Sequence, residues 1–248
     1  MTGFKRFYAE MYDEIHGDRD FLLDVQNLQQ IVSTYLGDST QLTGLDFGCG
    51  TGLHAKYMLD AGKKIMATDT SDAMLEIARA RLGLDCIIDR KKSDKPRFDF
   101  IYSLFDVVSY QTSEKSLIKF FTEVESLLKP NGMFIFDGWY LSGYLNFPPV
   151  PTSKSFSWNN KQFIRKVLPE VVNRDGYARL NISIIEISSG KVFTSEIHEL
   201  KAYSKPQIEK ILKRFQMEIS DWKDGGDKVS ELNEDSWRFL CIARKKSV

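Results

Sequence analysis

Apolar positions recur every three or four residues over Phe21 to Leu36, at Leu22, Val25, Leu28, Ile31, Val32 and Tyr35, and this period predicts an amphipathic helix stopped by Gly37-Asp38. The period then changes. Gln41 to Phe47 and Lys64 to Thr68 are short apolar runs that predict two strands, with a helix over Leu53 to Asp60 between them. Such a strand-helix-strand unit puts its two strands parallel and is right-handed in nearly all proteins. Ser71-Asp72 then opens a helix to about Leu82, with Ser71 or Asp72 as its cap. Cys86 to Asp89 predicts a third strand ending in a carboxylate, Arg90 to Arg97 a charged surface loop, and Phe98 to Leu104 a fourth strand. Ser116 to Leu128 has helical period, Lys129-Pro130-Asn131-Gly132 is a turn, and Met133 to Phe136 is fully apolar, as in a strand buried on both faces.

After Asp137 the pattern is different. Gly138 to Ser155 mixes aromatic residues, proline and serine and predicts a loop. Phe163 to Val172, Ala178 to Ile187 and Val192 to Lys201 alternate apolar and polar positions, and Ser188-Ser189-Gly190 joins two of them as a hairpin. They predict an antiparallel cover. Lys205 to Arg214 predicts a last helix, and Met217 to Trp222 and Trp237 to Ala243 the closing strands, linked by the polar loop Lys223 to Asp235. The expected organisation is an α/β core, residues 1–139 with 205–248, and an inserted substrate cover, residues 140–204.

The first strand carries the chemistry. Leu45-Asp46-Phe47-Gly48-Cys49-Gly50-Thr51-Gly52 breaks into glycine at every second position, so its backbone can take strained turn angles and admit a ligand closely. Strand, glycine turn and helix N-terminus form a nucleotide-binding elbow. Asp69, 17 residues past Gly52 at the tip of the second strand, is placed for two ribose hydroxyls. Dinucleotide sites space their glycines G-x-G-x-x-G, whereas here the spacing is G-x-G-x-G. Asp46 would repel a diphosphate and attract an ammonium group, and both details favour S-adenosylmethionine over a nicotinamide dinucleotide.

Composition narrows the partners. The 248 residues suit one sizeable α/β domain with an insertion, and 34 basic residues cancel 34 acidic ones, which argues against nucleic acid or an anionic membrane as partner. Three cysteines, Cys49, Cys86 and Cys241, have no metal-ligand spacing, so neither a metal nor a disulfide framework is expected. No apolar run of about 18 residues is present. A cytoplasmic protein, monomeric or homodimeric, is the expectation.

The chain resembles the class I S-adenosylmethionine-dependent methyltransferases. Leu45 to Gly52 is similar to that superfamily's first motif, Ala67 to Leu75 to its second, Phe98 to Phe105 to its fourth, and Leu127 to Asp137 to its post-motif with the K-P-x-G turn. The resemblance implies a Rossmann-like, seven-stranded, mostly parallel sheet whose last strand is antiparallel, with an antiparallel β insertion after strand five. It also implies that Gly48, Cys49 and Gly50 pass under the methionine part and that Asp69 holds the ribose. Thr70 and Met74 would lie by ribose and adenine, Asp89 at the adenine amino group, and Ser103, Leu104 and Phe105 along the sulfonium. More narrowly, Tyr8 to Phe21 (Y-A-E-M-Y-D-E-I-H-G-D-R-D-F) is similar to the N-terminal signature of bacterial methyltransferases acting on nucleotide-linked amino sugars. Phe105 to Gln111, Phe136 to Tyr140 and Phe193 to Glu199 follow the same order. This implies that Tyr12 and Arg19 join the cofactor site.

Methyl transfer is an in-line displacement at an activated carbon, so alignment and exclusion of water are the main tasks. An amine must arrive unprotonated, and a hydroxyl gains from a general base. Asp106, just past the fourth strand, is the first candidate for base or amine-orienting group, with Tyr12 and His198 as further catalytic candidates. Asp106 could instead cap Ser109 or a helix, and His198 could be structural. His54 and His16 are weaker ligand candidates. Tyr12, Tyr110, Trp139, Tyr140 and His198 would wall the acceptor, or pack a lid. Arg19 and Lys161 could meet a diphosphate or remain solvated. The expected function is methylation of a small molecule, foremost a sugar nucleotide of surface-polysaccharide or natural-product synthesis. Open alternatives are another small acceptor such as an amino acid or phosphorylated precursor, a non-catalytic cofactor-binding subunit, and a nicotinamide oxidoreductase.

Overall fold

A computed structural model describes residues 4–38, 40–88, 98–226 and 230–247. The chain opens with two short helices, α1 (Arg6–Glu10) and α2 (Tyr12–Ile15), where the sequence pattern had suggested no element. The amphipathic helix α3 (Phe21–Leu36) follows, capped by Asp20, whose carboxylate accepts from Leu23 N. Then come β1 (Thr43–Phe47), α4 (Leu53–Asp60), β2 (Lys64–Thr68) and α5 (Asp72–Leu82), the last capped by Ser71. β3 (Phe98–Ser103), α6 (Glu114–Leu127) and β4 (Leu128–Trp139) complete the parallel part.

The main sheet has six strands among the described residues, in the order β2-β1-β3-β4-β10-β9, with β9 (Met217–Asp224) and β10 (Arg238–Lys245) closing it after α8 (Lys205–Lys213). β1 to β4 are parallel, and β10 is antiparallel to both of its neighbours. The strand expected over Cys86 to Asp89 is instead a 3₁₀ turn, Leu84–Cys86, followed by a single parallel bridge from Ile87 to Ala67. Asp89 and the loop Arg90 to Arg97 lie outside the described residues.

Both faces of the sheet are covered. Val25, Leu28 and Val32 of α3, Ala55 and Met58 of α4 and Leu75 and Ala78 of α5 bury one face, against Ile65, Phe100, Ile135 and Ile242. Phe120, Phe121 and Val124 of α6 and Ile208 and Ile211 of α8 bury the other, against Leu45, Ile101, Phe134 and Phe136. A strand so enclosed needs apolar side chains in both directions, which is why β3 and the stretch Met133 to Phe136 of β4 are mostly apolar.

The stretch expected as a loop, Gly138 to Ser155, is more ordered than its composition suggests. β4 extends to Trp139, α7 (Leu141–Asn146) turns the chain, and β5 (Thr152–Trp158) begins a second sheet. β6 (Lys161–Val172), β7 (Tyr177–Glu186) and β8 (Val192–Lys201) follow, all antiparallel in sequence order. The inward face of this sheet packs Phe156, Phe163, Ile182, Ile184 and Leu200 against Tyr8, Met11 and Ile15 of the N-terminal helices. Residues 4–16 thus lie between the carboxyl ends of the parallel strands and the cover.

Candidate active site

The turn after β1 stitches itself to β2. Gly48 N and Cys49 N both donate to Thr68 O, at 2.8 and 3.0 Å, and Gly52 N donates to Cys49 O at 2.9 Å. Gly50 N donates to Asp69 Oδ2 at 2.8 Å, while Asp69 Oδ1 accepts from Ser71 N at 2.8 Å. Gly48 has φ 91°, and a Cβ there would stand 2.7 Å from Val107 Cγ1, whereas a Cβ on Gly50 would meet nothing within 4 Å. The turn is therefore tight below and open above.

Four backbone donors of the elbow are thus taken by protein oxygens. A phosphate needs such donors free. Beneath the turn lies Asp46, whose Oδ2 is buried with no hydrogen-bond partner. Burial pushes its carboxyl up to about 8, the charge of Asp69 adds to the rise, and the Tyr102 hydroxyl works against it. A turn with occupied N–H groups and the Asp69 carboxylate beside it suits a cationic ligand better than a diphosphate, and a cation near Asp46 would favour loss of that carboxyl's proton. Cys49 is buried and its thiol is pushed well up by burial, consistent with a packing side chain.

The remaining residues assigned to the cofactor divide into two groups. Met74 is buried at the start of α5 and Thr70 is exposed beside Asp69. Ser103 is buried and donates to Phe47 O at 2.6 Å, so its hydroxyl joins β3 to β1. After it, Phe105 and Asp106 take left-handed conformations, φ 70° and 66°. Asp137 at the end of β4 holds this strained pair, its carboxylate accepting from Phe105 N at 2.9 Å and Asp106 N at 2.7 Å.

Asp106, the first candidate for base or amine-orienting group, has a guanidinium partner. Arg238 of β10 grips its carboxylate on both oxygens, at 2.8 to 3.0 Å. The pair is buried next to Asp137, whose carboxyl is pushed up to about 7 by burial and by the charge of Asp106. A bidentate guanidinium partner leaves Asp106 a structural anion that anchors the strained turn. Two guanidiniums then flank the Phe105 ring, Arg19 at 4.4 Å and Arg238 at 5.4 Å from its centre. Arg19 is itself paired with Asp24 at 2.7 Å, and His54 Nε2 lies 3.1 Å from the same carboxylate. His54 is therefore a structural partner of α3.

The cover contributes a hydrogen-bonded chain. Tyr110 Oη lies 2.8 Å from His198 Nδ1, and His198 Nε2 lies 3.0 Å from Glu196 Oε2. Glu196 also accepts from Lys5 N at 2.7 Å. These partners assign the neutral imidazole a proton on Nε2, with Nδ1 accepting from the phenol. Burial holds the Tyr110 phenol well above its ordinary range, so it stays protonated. Tyr12 stands close by, its ring 4.5 Å from His16 and 6.3 Å from Phe105. Phe4 closes the group, 5.1 Å from the His198 ring.

Two of the proposed wall residues are also held by the framework. Trp139 is buried in the joint between the sheets, its ring 6.2 Å from Tyr144 and 5.5 Å from Trp237, and its backbone N–H donates to Ser109 Oγ at 2.8 Å. Tyr140 pairs through its backbone with Tyr203 and Trp237. Lys161 pairs with Glu186 at 2.8 Å on the exposed rim. Glu196, Arg238 and Asp137 were not singled out from the sequence. Glu196 had a visible sign, because residues i and i+2 of a strand share one face with His198. Asp137 and Arg238 gave none, since their partners are 31 and 132 residues away.

The N-terminal helices are tied to both halves. Thr51 Oγ1 donates to Asp13 Oδ1 at 2.6 Å, Arg81 pairs with Asp13, and Arg81 Nη1 donates to Thr51 O at 2.6 Å. On the cover side, Arg165 Nε donates to Tyr8 Oη at 3.2 Å and Lys154 Nζ to Ile15 O at 2.8 Å. Among the described residues no group of three His, Cys, Asp or Glu side chains is placed to hold a metal ion. No helix there is long and apolar enough to cross a membrane.

Comparison with known proteins bears on this elbow directly. Residues 45–132 match the methyltransferase domain family. The matched stretch runs from β1 into the first residues of β4. A Saccharopolyspora spinosa N,N-dimethyltransferase of dTDP-4-amino-2,3,4,6-tetradeoxy-D-glucose is 29% identical over 140 residues, 54% of this chain and 55% of that protein. A Streptomyces venezuelae N,N-dimethyltransferase of dTDP-3-amino-3,4,6-trideoxy-α-D-glucopyranose is 24% identical over 198 residues, 77% and 74% of the two chains. The alignment thus spans little more than half the length of the first of these relatives. Among solved structures, a sugar N-methyltransferase from Streptoalloteichus superposes with a TM-score of 0.78 at 16% identity, covering 100% of this chain and 95% of its own. That likeness shows a shared fold, the Rossmann-like class I methyltransferase fold.

Proposed function

We propose that the chain is an S-adenosylmethionine-dependent methyltransferase acting on a small molecule, foremost the amine or hydroxyl of a sugar nucleotide in natural-product or surface-polysaccharide synthesis. The observation that carries this reading is the elbow, with its backbone donors occupied, Asp69 at the tip of β2 and an orphaned Asp46 oxygen beneath. Asp69 would exchange its bond to Gly50 N for the ribose hydroxyls, and the ammonium would bring Asp46 the donor it lacks. The bound cofactor supplies a methyl group on a sulfonium.

Residues 140–204 serve in this reading as the acceptor's cover, and Ile87 marks the place of a seventh strand. The acceptor nitrogen or oxygen would sit at the Tyr110 hydroxyl. As the methyl arrives, Tyr110 Oη takes the acceptor's proton and passes its own to His198 Nδ1, and Glu196 stabilises the imidazolium so formed. Tyr12, His16, Phe105 and Phe4 exclude water from this point, which the displacement requires. The three relatives and neighbours named above, whose printed names are N-methyltransferases or N,N-dimethyltransferases of sugars, support an amine as first choice.

The test is an acceptor panel with labelled cofactor. dTDP-linked 3-amino and 4-amino deoxysugars should become labelled, and glycine should not. Labelling of glycine alone would overturn the sugar-nucleotide reading, and labelling of nothing with cofactor bound would favour a non-catalytic subunit.

A further inference from the structure

Four cations are carried by the segments that meet here: Arg19 ahead of α3, Arg238 of β10, and Lys154 and Arg165 of the cover. Three of them have carboxylate partners, Asp24 for Arg19, Asp106 for Arg238 and Asp18 for Lys154. Arg165 has none among the described residues. Its one hydrogen bond runs from Nε to the Tyr8 phenol, an uncharged acceptor.

The position makes this notable. Arg165 lies on β6 between Phe163 and Val167, both buried, so strand alternation sets it on the inward face of the cover. It pairs across the ladder with Lys154 on one side and with Ile184, fully buried, on the other. Its charge reaches the residues of the acceptor site: it opposes the burial-driven rise of Tyr8 and Tyr110, and together with burial it helps depress His16 to about 3. Glu196, the carboxylate of the same face, is already engaged by His198 and Lys5 N. A half-buried guanidinium on an inward face ordinarily has an anion.

We propose that Arg165 receives an anionic group of the acceptor, a carboxylate or a phosphate, and so restricts the enzyme to acidic acceptors. The planar fork offers such an oxyanion two parallel N–H donors, while Tyr8 holds Nε and fixes the plane. This rests on the methyltransferase reading, and it narrows the acceptor class rather than the reaction.

The test measures binding to the full chain by calorimetry, with and without S-adenosylhomocysteine, using two charged probes and their uncharged counterparts. dTDP against thymidine reports a nucleotide phosphate, and D-glucuronate against D-glucose a carboxylate on the sugar. The wild type should bind one charged probe at least tenfold more tightly than its counterpart. Arg165→Gln should abolish that preference, and Arg165→Met, which keeps the apolar stem under the sheet, should abolish it equally. Absence of any preference in the wild type overturns the assignment, as does its survival in either folded variant. Failure of S-adenosylhomocysteine to bind would instead overturn the methyltransferase reading, leaving the anion result to stand separately.

Discussion

The elbow and the cover face each other across the same site, yet they are built in opposite ways. The elbow is local: Gly48, Cys49, Gly50, Thr68, Asp69 and Ser71 satisfy one another within about one strand-helix-strand unit. The acceptor side is assembled from contacts of great sequence separation, Lys5 with Glu196, Tyr8 with Arg165, Tyr110 with His198 and Asp106 with Arg238. A ligand part common to many enzymes can be held by a short motif, whereas the part that differs among them is held by side chains that the fold alone brings together.

The largest effect is expected where the two halves meet. Arg238→Met leaves Asp106 without its partner next to Asp137, in a pair whose side chains are only 22% and 9% exposed. Breaking a buried pair costs about 3–5 kcal/mol, and the residual exposure of Arg238 puts the loss at the lower end, as read from the urea midpoint. A change within 0.5 kcal/mol would mean that the strained Phe105-Asp106 turn does not depend on this anchor.

Cutting the proton chain should separate the halves functionally. Glu196→Gln and His198→Asn should lower kcat by about a hundredfold while the affinity for S-adenosylmethionine stays within twofold, measured by labelled-methyl transfer and calorimetry. Equal losses in both quantities would deny the division of labour.

The buried carboxylate of the elbow makes a prediction in pH. The Asp46 carboxyl is raised from 3.8 to about 8 in the fold, so the folded state binds its proton more tightly than the unfolded chain. The contribution to stability is full below about pH 4 and is lost as pH rises toward 8. Asp46→Asn should flatten this part of the stability profile in urea titrations from pH 5 to 8. An unchanged slope would assign the dependence to Asp137, raised by the same sense of shift.

The smallest effect concerns the N-terminal latch. Asp13 and Arg81 are 28% and 22% exposed, so Asp13→Ala should cost at most about 1 kcal/mol. It should nevertheless speed proteolytic cleavage ahead of α3, since Thr51 and Arg81 then lose their hold on α2. Unchanged cleavage would show the cover contacts to be sufficient.

The legibility of the chain follows the same contrast. Period and turn residues revealed α3 to α6, the parallel strands and the alternating strands of the cover, because those signals are local. They missed α1 and α2, which are too short to show a period and are held by Tyr8, Met11 and Ile15 packing on the cover. Asp46 and Asp69 were recognisable by spacing from the glycines. Asp106 was recognisable as a carboxylate past β3 but not as the partner of a residue 132 positions away. Trp139 looked like a loop aromatic and proved to be a buried joint, since β4 continues through it. His198 and Tyr110 were singled out separately, and only the packing of β8 over the turn after β3 makes them neighbours.

The central claim is that the elbow accepts a cationic, phosphate-free cofactor through Asp69. Titration calorimetry of wild type and Asp69→Ala with S-adenosylmethionine and with NADH tests it most directly. The account predicts S-adenosylmethionine binding to the wild type, at least a tenfold loss in Asp69→Ala, and no heat from NADH. Equal S-adenosylmethionine affinity in the two proteins, or NADH binding in place of it, would contradict the account.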